Sequence, residues 1–190
     1  MKRAFALLGI LAACRSEPSM ETPPTSSAKP PPDDRALGES MLASERLPTR
    51  EEVVALADRL AVASVRAGRT PSAGELAWLA AQLRERAYRH DKVESDGREA
   101  LELYEAAATR AQSASVSCQA EQRRALLSGE LANDAATTFR ELYVAHERQS
   151  SLEGDRSGCI DRMKHLIDEV AAYRPTGQGW LELQEHARHE

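Results

Sequence analysis

Histidine and cysteine are the side chains here best able to hold a metal, act as nucleophile or form a bridge, and they are few: five histidines and three cysteines in 190 residues. His186 and His189 stand three apart between Glu185 and Glu190, a spacing that could put two ring nitrogens on one helical face, as a zinc site requires. They sit at the very end of the chain, where backbones fray, and a solvated tail accounts for them better. His146 falls on an apolar stripe and reads as a core histidine. Asp161 and His165 are one helical turn apart and could pair on a surface, an arrangement worth a few tenths of a kcal/mol, roughly. There is no His-Glu-x-x-His, no Gly-x-Ser-x-Gly and no glycine-rich phosphate loop. No catalytic set, metal site or cofactor is therefore expected. Cys118 and Cys159 are either two small buried thiols or a bridge; a bridge would close about 40 residues and contribute roughly 4 kcal/mol on the chain-entropy model. Trp78 and Trp180 are the two tryptophans. Large aromatics dominate interface hot spots, which makes both candidates for partner contact, but in a chain this poor in rings they serve equally well as core anchors.

Cys14 has a different setting. Met1-Lys2-Arg3 precedes an apolar run from Ala4 to Ala13, and Leu11-Ala12-Ala13-Cys14 closes it. Cations, a short apolar stretch and small residues are the three parts of an export signal, and about ten apolar residues are too few to span a bilayer. The tetrad resembles the bacterial lipobox. That resemblance implies a diacylglyceryl group on the Cys14 thiol, cleavage ahead of it, and a mature protein that starts there. Arg15 stands where some Gram-negative lipoproteins carry an aspartate as an inner-membrane retention signal, so the resemblance implies the periplasmic face of the outer membrane. An exported protein meets an oxidising compartment, which favours the Cys118–Cys159 bridge.

Behind Cys14, Pro18, Pro23, Pro24, Pro30, Pro31 and Pro32 are scattered among serines and threonines. Such a stretch has no apolar surface to offset its ordering entropy, so a disordered tether is expected, reaching about 55 Å if fully extended. The chain thus divides into a signal peptide (1–13), a lipidated cysteine with its Pro/Ser-rich linker (14–35), and a folded domain (36–190).

That domain must position whatever the chain does. Aromatic residues make up 4% of the chain, β-branched residues are thin and alanine is abundant, which argues for helices and against a sandwich or barrel. The formal charge is -5, and loss of Lys2 and Arg3 makes it more negative. Acidic and basic residues interleave, no basic stripe remains for phosphates, and nucleic acid is excluded as a natural partner. Membrane attachment would rest on lipid.

Ala100, Leu103, Tyr104, Ala107, Ala108 and Ala111 lie on one helical stripe. Leu76, Leu79, Ala80, Leu83 and Ala87 form an earlier one; Ala135, Phe139, Leu142, Tyr143 and His146 a later one; Cys159, Met163, Leu166, Ile167 and Val170 another. Thr49-Arg50-Glu51-Glu52 reads as a capping box before the helix carrying Val53, Leu56, Ala57 and Leu60, and Ser72 as the cap of the next. Breaks are expected at 68–71, 90–97, 112–117, 154–158 and 175–179. The segment from Val116 to Leu131 is ambiguous, its stripe being thin and interrupted by Gly129. About seven helices follow, as antiparallel pairs, the last starting at Trp180.

Short connections and alanine-lined faces suit helix pairs stacked side by side. Tyr88, Val93, Asp96, Ala100, Tyr104 and Ala107 resemble the loop and second helix of a Sel1-type repeat, a relative of the tetratricopeptide repeat. The resemblance implies that Tyr88 closes one helix, that Val93 and Asp96 shape a longer loop, and that Ala100, Tyr104 and Ala107 pack the second helix. An irregular helical bundle is the other architecture these stripes allow. The run from Cys118 through Gly129-Glu130-Leu131-Ala132, Asp134, Leu142-Tyr143 and Cys159 to Tyr173-Arg174-Pro175 is similar to the helical region preceding the catalytic domain of some peptidoglycan amidases. That likeness implies a non-catalytic accessory of wall remodelling, with peptidoglycan or a wall enzyme as partner. Taken together, the sequence points first to a lipid-anchored envelope protein that binds an envelope protein or peptide, second to the wall accessory, and last to an enzyme built on the tail histidines.

Overall fold

The computed structural model describes residues 33–44 and 48–172. The stretch read as a signal sequence, Cys14, most of that read as a linker, and the C-terminal segment carrying Tyr173-Arg174-Pro175, Trp180, His186 and His189 lie outside the described residues. The described chain is all-α, with seven helices: α1 Asp34–Ala43, α2 Arg50–Ala67, α3 Pro71–Asp91, α4 Glu94–Arg110, α5 Ala114–Ala132, α6 Ala135–Ser150 and α7 Ser157–Ala172.

α2 to α7 occupy the segments indicated by the hydrophobic spacing, and α1 begins just inside the stretch read as linker. The Asp33 carboxylate caps it by accepting from the Arg35 amide, and Asp34 adds a negative charge in its first turn. The Thr49 capping box forms at the head of α2, with the Glu52 amide on the Thr49 hydroxyl and the Thr49 amide on the Glu52 carboxylate. Ser72 does not cap α3. Pro71 takes the first helical position, where its fixed φ suits the helix and its missing N–H costs nothing, so Thr70 is the boundary residue. The break expected over 90–97 shrinks to Lys92 and Val93, because Lys92 turns the chain in the left-handed region (φ 55°). Asp96 therefore lies in the first turn of α4 instead of shaping a loop. Likewise Ser113 caps α5 early, so the break expected over 112–117 is shorter.

α5 is the ambiguous segment, and its weak stripe has a structural cause. It packs against α3, α4, α6 and α7, so Ser117, Ala120, Gln122, Ala125 and Gly129 are buried in several directions at once. Gly129 is small because a Cβ there would meet the Thr138 hydroxyl of α6 at 1.6 Å. Asn133 ends α5 in the left-handed region, and Asp134 caps α6 by accepting from the Ala136 and Thr137 amides at 3.1 and 3.0 Å.

Consecutive helices are antiparallel. Ser64 Oγ donates to Ala73 O at the α2–α3 turn while Asp58 pairs with Arg84 further along, and Arg124 pairs with Glu141 where Arg148 pairs with Glu121. Alternate helices touch as well: α1 with α3, α3 with α5, α5 with α7. Arg50 to Asp96 and Arg110 to Ser64 tie α2 to α4 in parallel register. Helix starts at Arg50, Glu94 and Ala135, and at Pro71, Ala114 and Ser157, make the pair recur roughly every 43 residues, against about 34 for a tetratricopeptide repeat. The core follows the same one-dimensional plan. One cluster joins Val53, Leu56 and Leu60 to Leu79 and Leu83; a second centres on Tyr104 with Ala77, Ala81, Ala100, Ala107 and Leu127; a third holds Leu142, Met163 and the two cysteines.

Close approach of α3 and α4 depends on Gly74, where an added Cβ would fall 2.3 Å from the Ala111 Cα. Gly74→Ala is expected to lower stability by about 2–3 kcal/mol, read as a fall in the urea midpoint at unchanged slope. Gly158→Ala, whose Cβ meets nothing within 4 Å, is the matched control and should change little.

The Asp134 cap carries a pH signature. Its hydrogen bond from the Thr137 hydroxyl, with the capped amides, holds the carboxyl below the ordinary carboxylate range. A depressed folded pKa contributes stability above the unfolded value, near 3.9, and loses it as pH falls through the folded value. Asp134→Ala should therefore cost about 1 kcal/mol at neutral pH. The gap between variant and wild type in denaturant titrations should close in acid.

Candidate functional site

The layer of α1, α3 and α5 leaves a trough whose floor is one face of α3. Glu75, Trp78, Gln82, Arg86 and Arg89 follow one another along that floor at helical spacing, with α1 on one side and α5 on the other. Two hollows make it up. The larger, about 550 Å³, is lined by Arg35, Glu39, Leu42, Trp78 and Val116 among others; the smaller, about 240 Å³, by Gln82, Glu85, Arg86, Arg89 and Arg123. Leu42 and Gln82 line both, so the hollows adjoin.

Trp78 is half-buried. Its ring packs at 55° to Tyr104 with centroids 5.4 Å apart, which anchors the indole in the second core cluster while part of it lines the hollow. Trp78 thus packs on the core and also lines the hollow.

The basic end rests on one buried carboxylate. Glu85 accepts from the Tyr104 hydroxyl and pairs with Arg89 at 2.8 Å and Arg123 at 3.2 Å. Burial, reinforced by the Glu85 charge, holds the Tyr104 phenol well above its ordinary value, so it stays a donor. Burial works against the Arg123 guanidinium, and the neighbouring Glu85 overrides it, so Arg123 is held above its usual value. Arg86 spends its donors on the Met41, Leu42 and Ser44 carbonyls at 2.7, 2.8 and 2.5 Å, which closes the C-terminal end of α1. Arg89 also reaches Glu130 at 3.5 Å, and Glu130 is shared with Lys92. The other end is balanced differently: Arg35 pairs with Glu39 at 3.0 Å and Glu75 at 2.8 Å.

Cys118, in the second turn of α5, and Cys159, in the first turn of α7, are bonded, with Cα atoms 6.2 Å apart and both residues buried. Cys118 sits deeper in its helix than its expected place at the helix start, because Ser113 begins α5 sooner. His146 is half-buried at the edge of its stripe, against Glu147 at 3.5 Å, and is not a core residue. Asp161 does not meet His165. The imidazole turns to Glu169 at 3.5 Å, one turn onward on α7. Among the described residues no group of three or more His, Cys, Asp and Glu side chains is placed to hold a metal ion. Sequence reasoning missed Glu85, Arg86, Arg89 and Arg123. The available signal was the polar file on α3 with a tryptophan in its midst, set against an apolar stripe on the opposite face.

Comparison with known proteins returns no matching family model, no matching curated protein and no matching solved structure.

Proposed function

We propose that this protein is an exported lipoprotein, anchored through Cys14, whose helical array holds a protein segment of the cell envelope in the trough over α3. The observation that carries the reading is the trough itself: an indole anchored from behind by Tyr104 and open in front, continuous with a file of polar side chains on one helix. Side chains locked from behind lose little entropy when a ligand arrives, which is what a binding surface needs. The first and last residues of such a file, Glu75 and Arg89, are separated by about 21 Å along α3 at 1.5 Å per residue, a length matched by about six extended residues.

The test uses the full chain as bait against envelope extract and against purified sacculi, side by side with Trp78→Ala. Capture of a defined protein that Trp78→Ala loses supports the proposal. Capture that survives the substitution places the partner elsewhere, and retention on sacculi alone favours the wall-accessory reading. Anchorage is tested by Cys14→Ala, which should move the protein from the membrane fraction to the soluble one; unchanged fractionation would overturn that part.

A further inference from the structure

We infer that the segment held in the trough is acidic: about six extended residues, with an apolar side chain against Trp78 and carboxylates at the end formed by Arg86, Arg89 and Arg123. The inference deepens the binding proposal and rests on it.

Charge complementarity carries the argument. At that end three guanidinium groups converge on a hollow of about 240 Å³, and a single lining carboxylate, Glu85, stands among them. Glu85 is buried, accepts from the Tyr104 phenol, and divides its charge between Arg89 and Arg123. Arg86 is satisfied by backbone carbonyls, which take up its donors without cancelling its full positive charge. Glu130 is the next acid near Arg89, and it is shared with Lys92. Glu45 and Arg46, outside the described residues, cancel one another formally. The hollow therefore holds a positive excess in a chain whose overall formal charge is -5. Arg89 and Arg123 remain accessible, with 47% and 38% of their side chains exposed, so a carboxylate can reach them without breaking the Glu85 cluster. Arginine at a partly desolvated wall is well suited to receive carboxylates in a bidentate manner.

The opposite end fixes direction. Glu75, Glu39 and Arg35 form a group there with two carboxylates against one guanidinium, and the space between holds the indole, Leu42, Leu79 and Val116. An acidic segment lying the other way would bring carboxylates to Glu39 and Glu75, a like-charge penalty, and leave the positive excess around Arg86, Arg89 and Arg123 unmatched. An apolar residue followed by carboxylates matches the trough in one orientation.

The experiment is fluorescence anisotropy with the full chain and three labelled hexapeptides: Leu-Ser-Glu-Glu-Ser-Glu, the same peptide with glutamine for each glutamate, and the same with lysine. The acidic peptide should bind at least tenfold more tightly than the glutamine peptide and weaken as salt rises from about 0.01 to 1 M. Arg89→Gln and Arg123→Gln should each weaken it about tenfold, the loss of one charge-assisted contact. Arg140→Gln, on α6, should leave it unchanged. Arg123→Gln disturbs the buried cluster, so its circular dichroism and melting are measured in parallel. Arg89→Gln leaves Glu85 paired with Arg123 and keeps the test valid if Arg123→Gln unfolds. Equal affinity for acidic and glutamine peptides, or unaltered binding by Arg89→Gln, overturns the inference. Envelope capture that still depends on Trp78, with no preference for the acidic peptide, leaves the binding proposal standing and removes this one. Loss of both removes both.

Discussion

Replacing Cys118 and Cys159 together by alanine should lower the stability of the helical domain by about 4 kcal/mol on the chain-entropy model, and its melting temperature by roughly 10 °C. The bridge closes a loop of sequence separation 41, from α5 across all of α6 to α7. Its removal frees α7 in the unfolded chain and withdraws two buried groups from the third core cluster, in which Met163 and Leu142 are the largest members. α7 is the last described helix and, among the described residues, packs mainly on α6 and α5. Its described neighbours are the two helices that the bridge itself spans, so the loss should be local first. Hydrogen exchange should show α7 opening ahead of the rest, with α2 and α3 close to wild type. Reduction of the wild-type protein should reproduce the shift and leave the double variant unaffected. Equal melting of the two proteins under oxidising conditions would show that α7 is held by apolar packing alone.

The second large effect is expected at Asp96. Its carboxylate is fully buried and takes Arg84 at 2.7 Å on one oxygen and Arg50 at 2.7 Å on the other. Arg84 is itself buried, with 7% of its side chain exposed, and its Nε lacks a hydrogen-bond partner among the described residues. Asp96→Ala leaves that guanidinium without its buried counter-charge and should cost about 3–5 kcal/mol. The acids that remain near Arg84, Asp58 and Glu99, are 60% and 47% exposed, and pairs with such solvated groups are worth little. If the penalty is that of an unpaired charge and not of lost packing, Arg84→Met combined with Asp96→Leu should recover most of it. Chemical denaturation of the single and double variants decides the matter. A double variant as unstable as Asp96→Ala alone would mean that the pair organises the α2–α3–α4 junction by geometry and not by charge balance.

Asp96 also shows where sequence reasoning stopped short. Its spacing from Tyr88 and Ala100 was visible, and the Sel1-like pattern implied a loop residue. The structure puts it in the first turn of α4, facing α2 and α3. A buried aspartate cannot be told from a loop aspartate by helical period when the arginines that neutralise it come from residues 50 and 84. The α5 segment is the converse case. Its thin stripe suggested weak helicity, yet it is a helix, because burial on several sides erases the contrast between faces on which periodicity depends. α1 went unseen because Asp33 and Asp34 follow a proline run and its apolar residues are few. Its place is secured by Arg86, which closes its last carbonyls from another helix.

Local sequence alone determined the helical class, most helix limits, the Thr49 cap and the stripes that became core. Each of these rests on interactions within a turn or two, or on a stripe that must be buried somewhere, and a period of about 3.6 residues records that in the chain itself. Only the tertiary structure decided which helices are neighbours, that α1, α3 and α5 leave a trough, that Trp78 is braced by Tyr104 from behind, and that Glu85 gathers Arg89 and Arg123 at one end. Apart from Glu85 and Arg89, one turn apart on α3, those relations join side chains on separate helices through packing and counter-charge, neither of which leaves a period in the sequence.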